Sequence, residues 1–317
     1  GLALGVNMAK VRDDEGNVYR CKHLWANDID EDACKTFKEN IMTEKENSMV
    51  LNKDVEEINL KGLPTIDGLL FGFPCNDFSL VGEQKGMDGK HGPLYSYGVQ
   101  VMKYHNPKFF IAENVGGISS ADDGKAFKKI LNDMENAGRG YNITTHLYKL
   151  EDYGVPQKRH RYVIVGFRKD LDIEYEVPAP THKNNYVTVS EALNGVEDAE
   201  HNNKKTNHAK KTVERLKHIP PGGNAWHPNV PEDLQLNVKG CKMSHIYRRL
   251  EADKPSYTLT GSGGGGTHVY HWDEPRALTN RERARLQTFP DDFKFYGGKG
   301  SVRAQIGHAV PPKGAKV

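Results

Sequence analysis

Three short stretches carry the side chains best suited to chemistry. In Gly72-Phe73-Pro74-Cys75-Asn76-Asp77-Phe78-Ser79 an apolar run stops at a proline and delivers a cysteine. Proline has no N–H and ends strand pairing, so Cys75 is expected at an exposed carboxyl end of a strand. A thiolate there is a nucleophile if nearby cations lower its pKa. The plain alternative is a buried structural thiol, since cysteine is among the most buried residues. In Phe109-Phe110-Ile111-Ala112-Glu113-Asn114-Val115 another apolar run ends in an acid. Its carboxyl group is a candidate proton donor to a ring nitrogen, or simply a helix cap. Gln157-Lys158-Arg159-His160-Arg161 precedes the apolar run Tyr162 to Phe167. Strand alternation predicts Gln157, Arg159 and Arg161 on one face, where Arg forks suit a carboxylate or a phosphate.

The elements that must position these groups follow from apolar periodicity. Short runs at 19–26, 68–73, 108–112, 143–149 and 162–167 read as strands, with helices at 31–39, 95–104 and 124–136. Such alternation predicts an α/β fold, a doubly wound, mostly parallel sheet covered by helices. Ligands bind beyond the carboxyl ends of strands in sheets of that kind, where Asp28, Asp54, Cys75 and Glu113 fall. After about residue 175 periodicity weakens and Pro, Gly, Asn and His become frequent, which predicts a second, smaller and irregular domain. The division expected is 1–175 plus 302–317 for the first and 176–301 for the second.

Composition limits the function classes. The chain has 317 residues, 37% hydrophobic and 27% charged, with net charge +2, an ordinary globular balance. Its longest apolar run is far below the ~20 residues of a membrane span, so no membrane association is expected. The four cysteines (Cys21, Cys34, Cys75, Cys241) form no C-x-x-C pair, so no metal site is expected and a cytoplasmic location is. Charge is unevenly spread: residues 201–249 hold ten Lys or Arg against three acids. That stretch reads equally as a phosphate-binding face or as a solvated surface.

In order and context, the three stretches resemble the P-C, E-N-V and Q-x-R-x-R strand motifs of the DNA (cytosine-5) methyltransferases, prokaryotic restriction-modification type. Two later stretches extend the resemblance to the end of the chain. Arg276-Ala277-Leu278-Thr279, with Arg281-Glu282 and Phe289-Pro290, resembles the helix after the recognition region. Gln305 to Pro312 resembles the closing motif. The resemblance implies a Rossmann-like class I S-adenosylmethionine-dependent fold with a target-recognition domain. Residue by residue, it implies that Cys75 attacks cytosine C6 while Glu113 protonates N3. It implies that Arg161 orients Glu113 or the base, with Arg159 close to it and to a backbone phosphate. For S-adenosyl-L-methionine it implies Asp28 on the ribose, Ile29 against the adenine and Asp54 with Val55 near its amino group. Phe73, Pro74 and Leu94 would lie on the methionine side, with His308 and Ala309 of the closing motif. For the acids, helix capping is the competing role, and Asn27-Asp28-Ile29-Asp30 is well made for it.

The implied partner is double-stranded DNA, with the target cytosine flipped out. Ser79, Gln84 and Lys85 of the polar loop, Thr258, Gly263 and Gly264, and Arg248 and Arg249 are the implied DNA contacts; His245 and Tyr247 are further candidates. A monomer acting at the nucleoid, with a cognate restriction endonuclease as genetic partner, completes the expectation. Departures from the family pattern are Asn76 for the usual Gln and His308 for the usual Asn. Gly1 to Gly5 resembles only the tail of the family's Gly-rich opening loop, which implies a truncated N-terminal motif. Competing readings are a tRNA-methylating relative, a DNA-binding module without catalysis and an NAD-type oxidoreductase.

Overall fold

The computed structural model describes residues 1–42, 49–74, 94–238 and 241–317. In chain order the elements are α1 (Leu2–Met8), β1 (Val11–Arg12), β2 (Val18–Tyr19), β3 (Trp25–Asp28), α2 (Glu31–Ile41), β4 (Met49–Asn52), β5 (Gly68–Gly72), α3 (Tyr95–His105), β6 (Phe109–Val115), α4 (Lys125–Glu135), β7 (Tyr141–Lys149) and β8 (His160–Arg168). They are followed by α5 (Val189–Leu193), α6 (Lys210–Lys217), α7 (Asn280–Leu286), α8 (Lys299–His308) and α9 (Pro312–Lys316).

Strands β5 to β8 fall where the apolar runs predicted, whereas the run 19–26 is strand only at its two ends and β1 and β4 were not predicted; the directions also differ from a mostly parallel sheet. β3 pairs with β4 in parallel, as a separate two-stranded unit. The main sheet has the order β5-β6-β8-β7, with β5–β6 parallel and both β6–β8 and β7–β8 antiparallel. The sheet is therefore mixed. The cause is the connection between β7 and β8: residues 150–159 hold only a 3-10 turn at Leu150–Tyr153, too little for the crossover that a parallel pair requires. The chain turns back instead, with the Leu150 N–H donating to the Arg159 carbonyl at 3.0 Å.

The main core lies between this sheet and helices α3 and α4. On β6 burial alternates strictly, so Phe110, Ala112 and Asn114 face inward. Helix α4 buries Ala126, Ile130 and Met134 at four-residue spacing, the last two in the same core, and keeps its lysines outside. Burying Ile130 or Met134, both at 0% exposure, contributes roughly 1.5–3 kcal/mol each.

Beyond residue 176 the described chain contains no strand, only isolated bridges such as Arg249↔Tyr270 and Tyr270↔Ala277. Two further cores hold this region, one around Leu250, Leu259 and Leu278 and the other around Leu216, Ile219 and Tyr270. Helix α7 starts with a reciprocal cap, in which Thr279 Oγ1 accepts from the Glu282 N–H and Glu282 accepts from the Thr279 N–H. A last core packs Phe289, Phe293 and Phe295 with Val302 and Ile306 against Ile41 and Phe37 of α2. It straddles residue 301, where the sequence placed a domain boundary. Among the described residues no helix is long and apolar enough to cross a membrane, and no cluster of His, Cys, Asp or Glu could hold a metal.

Candidate active site

Glu113 ends the paired part of β6 beside the end of β5, while Asp28 with Ile29 and Asp54 with Val55 stand at the ends of β3 and β4. Register pairs Gly72 of β5 with Glu113 of β6. The Glu113 carboxylate lies over Gly72, where a side-chain Cβ would stand 3.5 Å from Oε2. Across the sheet, β8 sets Arg161 opposite Val115, and Val115 shares a face with Glu113. Arg161 is thus the diagonal neighbour of Glu113. Its Nε donates to Glu113 Oε1 at 2.7 Å, with side chains only 12% and 14% exposed. Burial pushes the Glu113 carboxyl above the usual carboxylate range, against the opposing pull of the Arg161 and Arg159 charges. Glu113 therefore holds a proton at higher pH than an ordinary glutamate, as a proton donor must.

Asn114 had been given no role of its own. It is 2% exposed; its Nδ2 donates to the Phe73 carbonyl at 3.0 Å and its Oδ1 accepts from the Val115 N–H at 2.7 Å. The β5 end is thereby pinned to the β6 end just before Pro74. A polar residue at an inward position of an alternating strand was the signal, because it must be satisfied internally.

Gln157 and Arg159 are sealed inside, whereas Arg161 stays at the rim. Gln157 accepts from the Leu259 N–H at 2.9 Å and donates to Leu286 and Gln287. Arg159 is 1% exposed and donates to the carbonyls of Leu259 (3.0 Å), Gly307 (2.8 Å) and Ala309 (3.1 Å). Burial and the neighbouring Arg161 lower its pKa to about 9, so it remains charged at neutral pH. The phosphate contact expected of Arg159 is not presented: its head group fastens the closing motif and residue 259 to β8.

On the opposite side of the rim, Asp28 ends β3 and accepts from the Asp30 N–H at 2.9 Å, while Asp30, not Asp28, caps α2. Crowding by protein holds the Asp28 carboxyl above its usual range, countered in part by nearby His308. Ile29 stands 70% exposed beside it, an apolar side chain with nothing covering it. Asp54 follows β4 and accepts from the Glu56 N–H at 3.1 Å, its expected alternative as a cap; Val55 opens that turn. Phe73 is buried against Tyr95 at 6.1 Å between rings, and Pro74 and Leu94 are half-buried. Ala309 offers its carbonyl to Arg159.

The expected DNA contacts divide. Thr258 is exposed and donates to the Lys158 carbonyl at 2.6 Å. Gly263 adopts φ +122, a conformation that L side chains rarely take, and Gly264 beside it is exposed. Arg248 lies 4.7 Å above the Tyr257 ring and His245 is exposed. Tyr247, by contrast, is buried and stacks on Tyr270 at 5.3 Å. Arg249 is 5% exposed and donates to the carbonyls of His271, Leu216, Ile219, Trp272 and Glu274. With every nitrogen engaged internally, Arg249 is not available to a base edge, which corrects that expectation. Cys75, Ser79, Gln84 and Lys85 lie outside the described residues. A cleft of about 520 Å³, lined among others by Lys149, Lys158, His160, Arg161, Tyr186 and Thr258, runs from Arg161 to residues of the second region.

A methyltransferase-type α/β fold, with a buried carboxyl–guanidinium pair where strands end, is the class that this geometry defines. A prophage-encoded chain of E. coli, described as a candidate DNA modification methyltransferase, has a similar structure (TM-score 0.66, 26% identity, 99% of this chain and 93% of that one). The Entamoeba histolytica methyltransferase EhMeth shares the fold at TM-score 0.59 and 17% identity, covering 92% of this chain and 87% of that one. The family model for C-5 cytosine-specific DNA methylases matches residues 1–317, and the chain belongs to that family of DNA (cytosine-5-)-methyltransferases. Among its relatives are the type II methyltransferases M.BbvI of Brevibacillus brevis (60% identical, all of this chain and 86% of that protein) and M.NgoFVII of Neisseria gonorrhoeae (42%, 93% and 78%).

Proposed function

We propose that the protein methylates C5 of a flipped-out cytosine within a short DNA sequence through a covalent bond from Cys75 to C6. The observation that carries this reading is the Glu113–Arg161 pair at the strand ends beside Pro74. A cytosine ring is a poor nucleophile at C5 until C6 bears an added thiolate. Glu113 donates its proton to N3 as Cys75 Sγ bonds to C6, so the electron pair of the C5–C6 double bond becomes available at C5. Arg161 orients the carboxyl and keeps it hydrogen-bonded. S-adenosyl-L-methionine, when bound, supplies the methyl group. Loss of the C5 proton to a base then restores the double bond and releases the Cys75 thiolate, and N3 returns its proton to Glu113, which leaves neutral 5-methylcytosine and the carboxyl ready for another turn. Duplex stacking hides C6, hence the flip.

The rim suits that donor. Asp28 and Asp54 offer carboxylates to ribose and adenine, exposed Ile29 offers an apolar surface to the adenine, and Phe73, Pro74, Leu94 and His308 close the methionine side. Arg159 is a positioning residue that holds Ala309 and Leu259 against β8. The irregular region around 176–301 reads the target, with Arg248, Thr258, Gly263 and Gly264 nearest the DNA. The enzyme acts as a monomer, since one recognition region beside one active site needs no second copy, and works in the cytoplasm at the nucleoid with a restriction endonuclease as its genetic partner.

The test is expression of the full-length protein in a host without cytosine methylation, beside Cys75→Ser, with 5-methylcytosine mapped across the genome. Methylation at one short sequence, lost in the Ser variant, is expected. Methylation absent from DNA but present in tRNA would move the reading to an RNA substrate.

A further inference from the structure

Away from the rim, Arg283 of α7 is 2% exposed yet its guanidinium makes no hydrogen bond or ion pair with any described residue. The other buried arginines behave differently. Arg159, Arg249 and Arg281 each donate from two or more nitrogens to backbone carbonyls, and Arg276 binds Glu282 through two nitrogens, although Nε of Arg159 and of Arg276 is left without a partner. A buried guanidinium with no partner is costly and calls for a ligand.

Arg283 lines a cleft of about 190 Å³ together with Arg303, Lys204, Lys299 and His268. No carboxylate lines that cleft among the described residues. Burial and the Arg303 charge lower the Arg283 pKa to about 10, and the two arginines with burial depress His268 to about 4. His268 is thus neutral and adds no further repulsion at neutral pH. Gly297 and Lys299 at the start of the ten-residue α8 also line the cleft, and its N-cap Gly298 has no side chain to satisfy first-turn N–H groups. A helix N-terminus adds partial positive charge and free donors. Arg303 donates to the Gly263 carbonyl, so the cleft borders the glycine-rich loop 261–267.

We propose that Arg283, Arg303, Lys204 and Lys299 form a binding site for a single phosphate group, set apart from the Glu113–Arg161 site. The volume takes one tetrahedral anion and not a nucleotide. Its phosphate is either a backbone phosphodiester of bound DNA, which rests on the DNA-methylating reading above, or a free phosphate ion, which does not.

The experiment compares the wild type with Arg283→Met, which keeps the apolar stem and removes the charge, and with Lys204→Ala, an exposed residue whose loss leaves the fold alone. In one arm, thermal midpoints are measured with inorganic phosphate and with chloride at equal ionic strength. In the other, affinity for duplex DNA is measured against salt. Without phosphate, Arg283→Met should melt no lower than the wild type, because it removes an unpaired buried charge; a merely structural arginine would melt lower. A phosphate-specific rise in the wild-type midpoint that vanishes in Arg283→Met and shrinks in Lys204→Ala supports the free-ion source. A log K against log salt slope shallower by about 0.9 in each variant supports the DNA source. If folded Arg283→Met matches the wild type in both arms, or melts lower without phosphate, the proposal is overturned. The phosphate arm needs no catalysis, so its result stands whatever becomes of the methylation reading.

Discussion

The strand-end rim and the region beyond residue 176 use the same residue type in opposite ways. At the rim, Arg161 meets an acid, Glu113, and the largely buried pair sits on the face of a regular sheet whose backbone is already satisfied. In the second region there is no ladder to take up carbonyls, so arginines do it: Arg249 reaches five of them and Arg281 bonds those of His201, Pro290 and Phe293. Irregular chain that is buried must still pair its backbone, and a guanidinium with five donors is the side chain that satisfies several carbonyls at once. Positive charge in such a region is therefore partly mortar, and only the remainder is free to meet a partner.

Substitutions sharpen this contrast. The largest effect is expected from Glu113→Gln, which should slow methylation by about a hundredfold to ten-thousandfold, the usual contribution of a positioned acid. Stability should move the other way. The folded-state pKa of Glu113 is raised, so the folded protein binds more protons than the unfolded chain above the ordinary carboxylate range, and stability is lost as pH rises through the folded pKa. The Gln variant should lack that loss, a difference read from thermal midpoints against pH. The methylation rate of the wild type should likewise fall as Glu113 deprotonates.

Arg249→Met should cost about 3–5 kcal/mol by leaving buried carbonyls unpaired, measured by denaturant unfolding. Its folded fraction should keep the wild-type salt dependence of DNA binding; a shallower slope would mean that Arg249 meets phosphate after all. Asn114→Ala should cost about 1–3 kcal/mol in the same unfolding measurement, since the buried Phe73 carbonyl loses its donor. Arg248→Ala should be the mildest for the fold, at most about 1 kcal/mol for a half-buried cation over Tyr257. If Arg248 reads a base, the same variant loses about 1–3 kcal/mol of discrimination at one position of the target.

The sequence made the rim legible because apolar runs ending in Pro74, Glu113 and Asp28 mark strand ends without ambiguity of register. Helices α2, α3 and α4 were equally legible from their spacing. The antiparallel β8 was not, because the shortness of the 150–159 connection weighs more than the apolar quality of the strand. Arg249 and Arg215, both 5% exposed, were read as surface charge; composition counts charges but cannot say which ones irregular chain turns inward. Asp30 caps α2, as the helix start read at Glu31 requires, and Asp28 is left free of that role.

The central claim is a bond between Cys75 and cytosine C6 made possible by Glu113. Its most direct measurement is mass spectrometry of the full-length protein incubated with the methyl donor and duplex DNA carrying 5-fluorocytosine at the target. Fluorine at C5 cannot leave as a proton does, so the adduct should accumulate as one stable protein–DNA species cross-linked through Cys75, absent in Cys75→Ser and slow to form in Glu113→Gln. Unmodified protein alongside bound, flipped DNA, or a cross-link at another residue, would contradict the account.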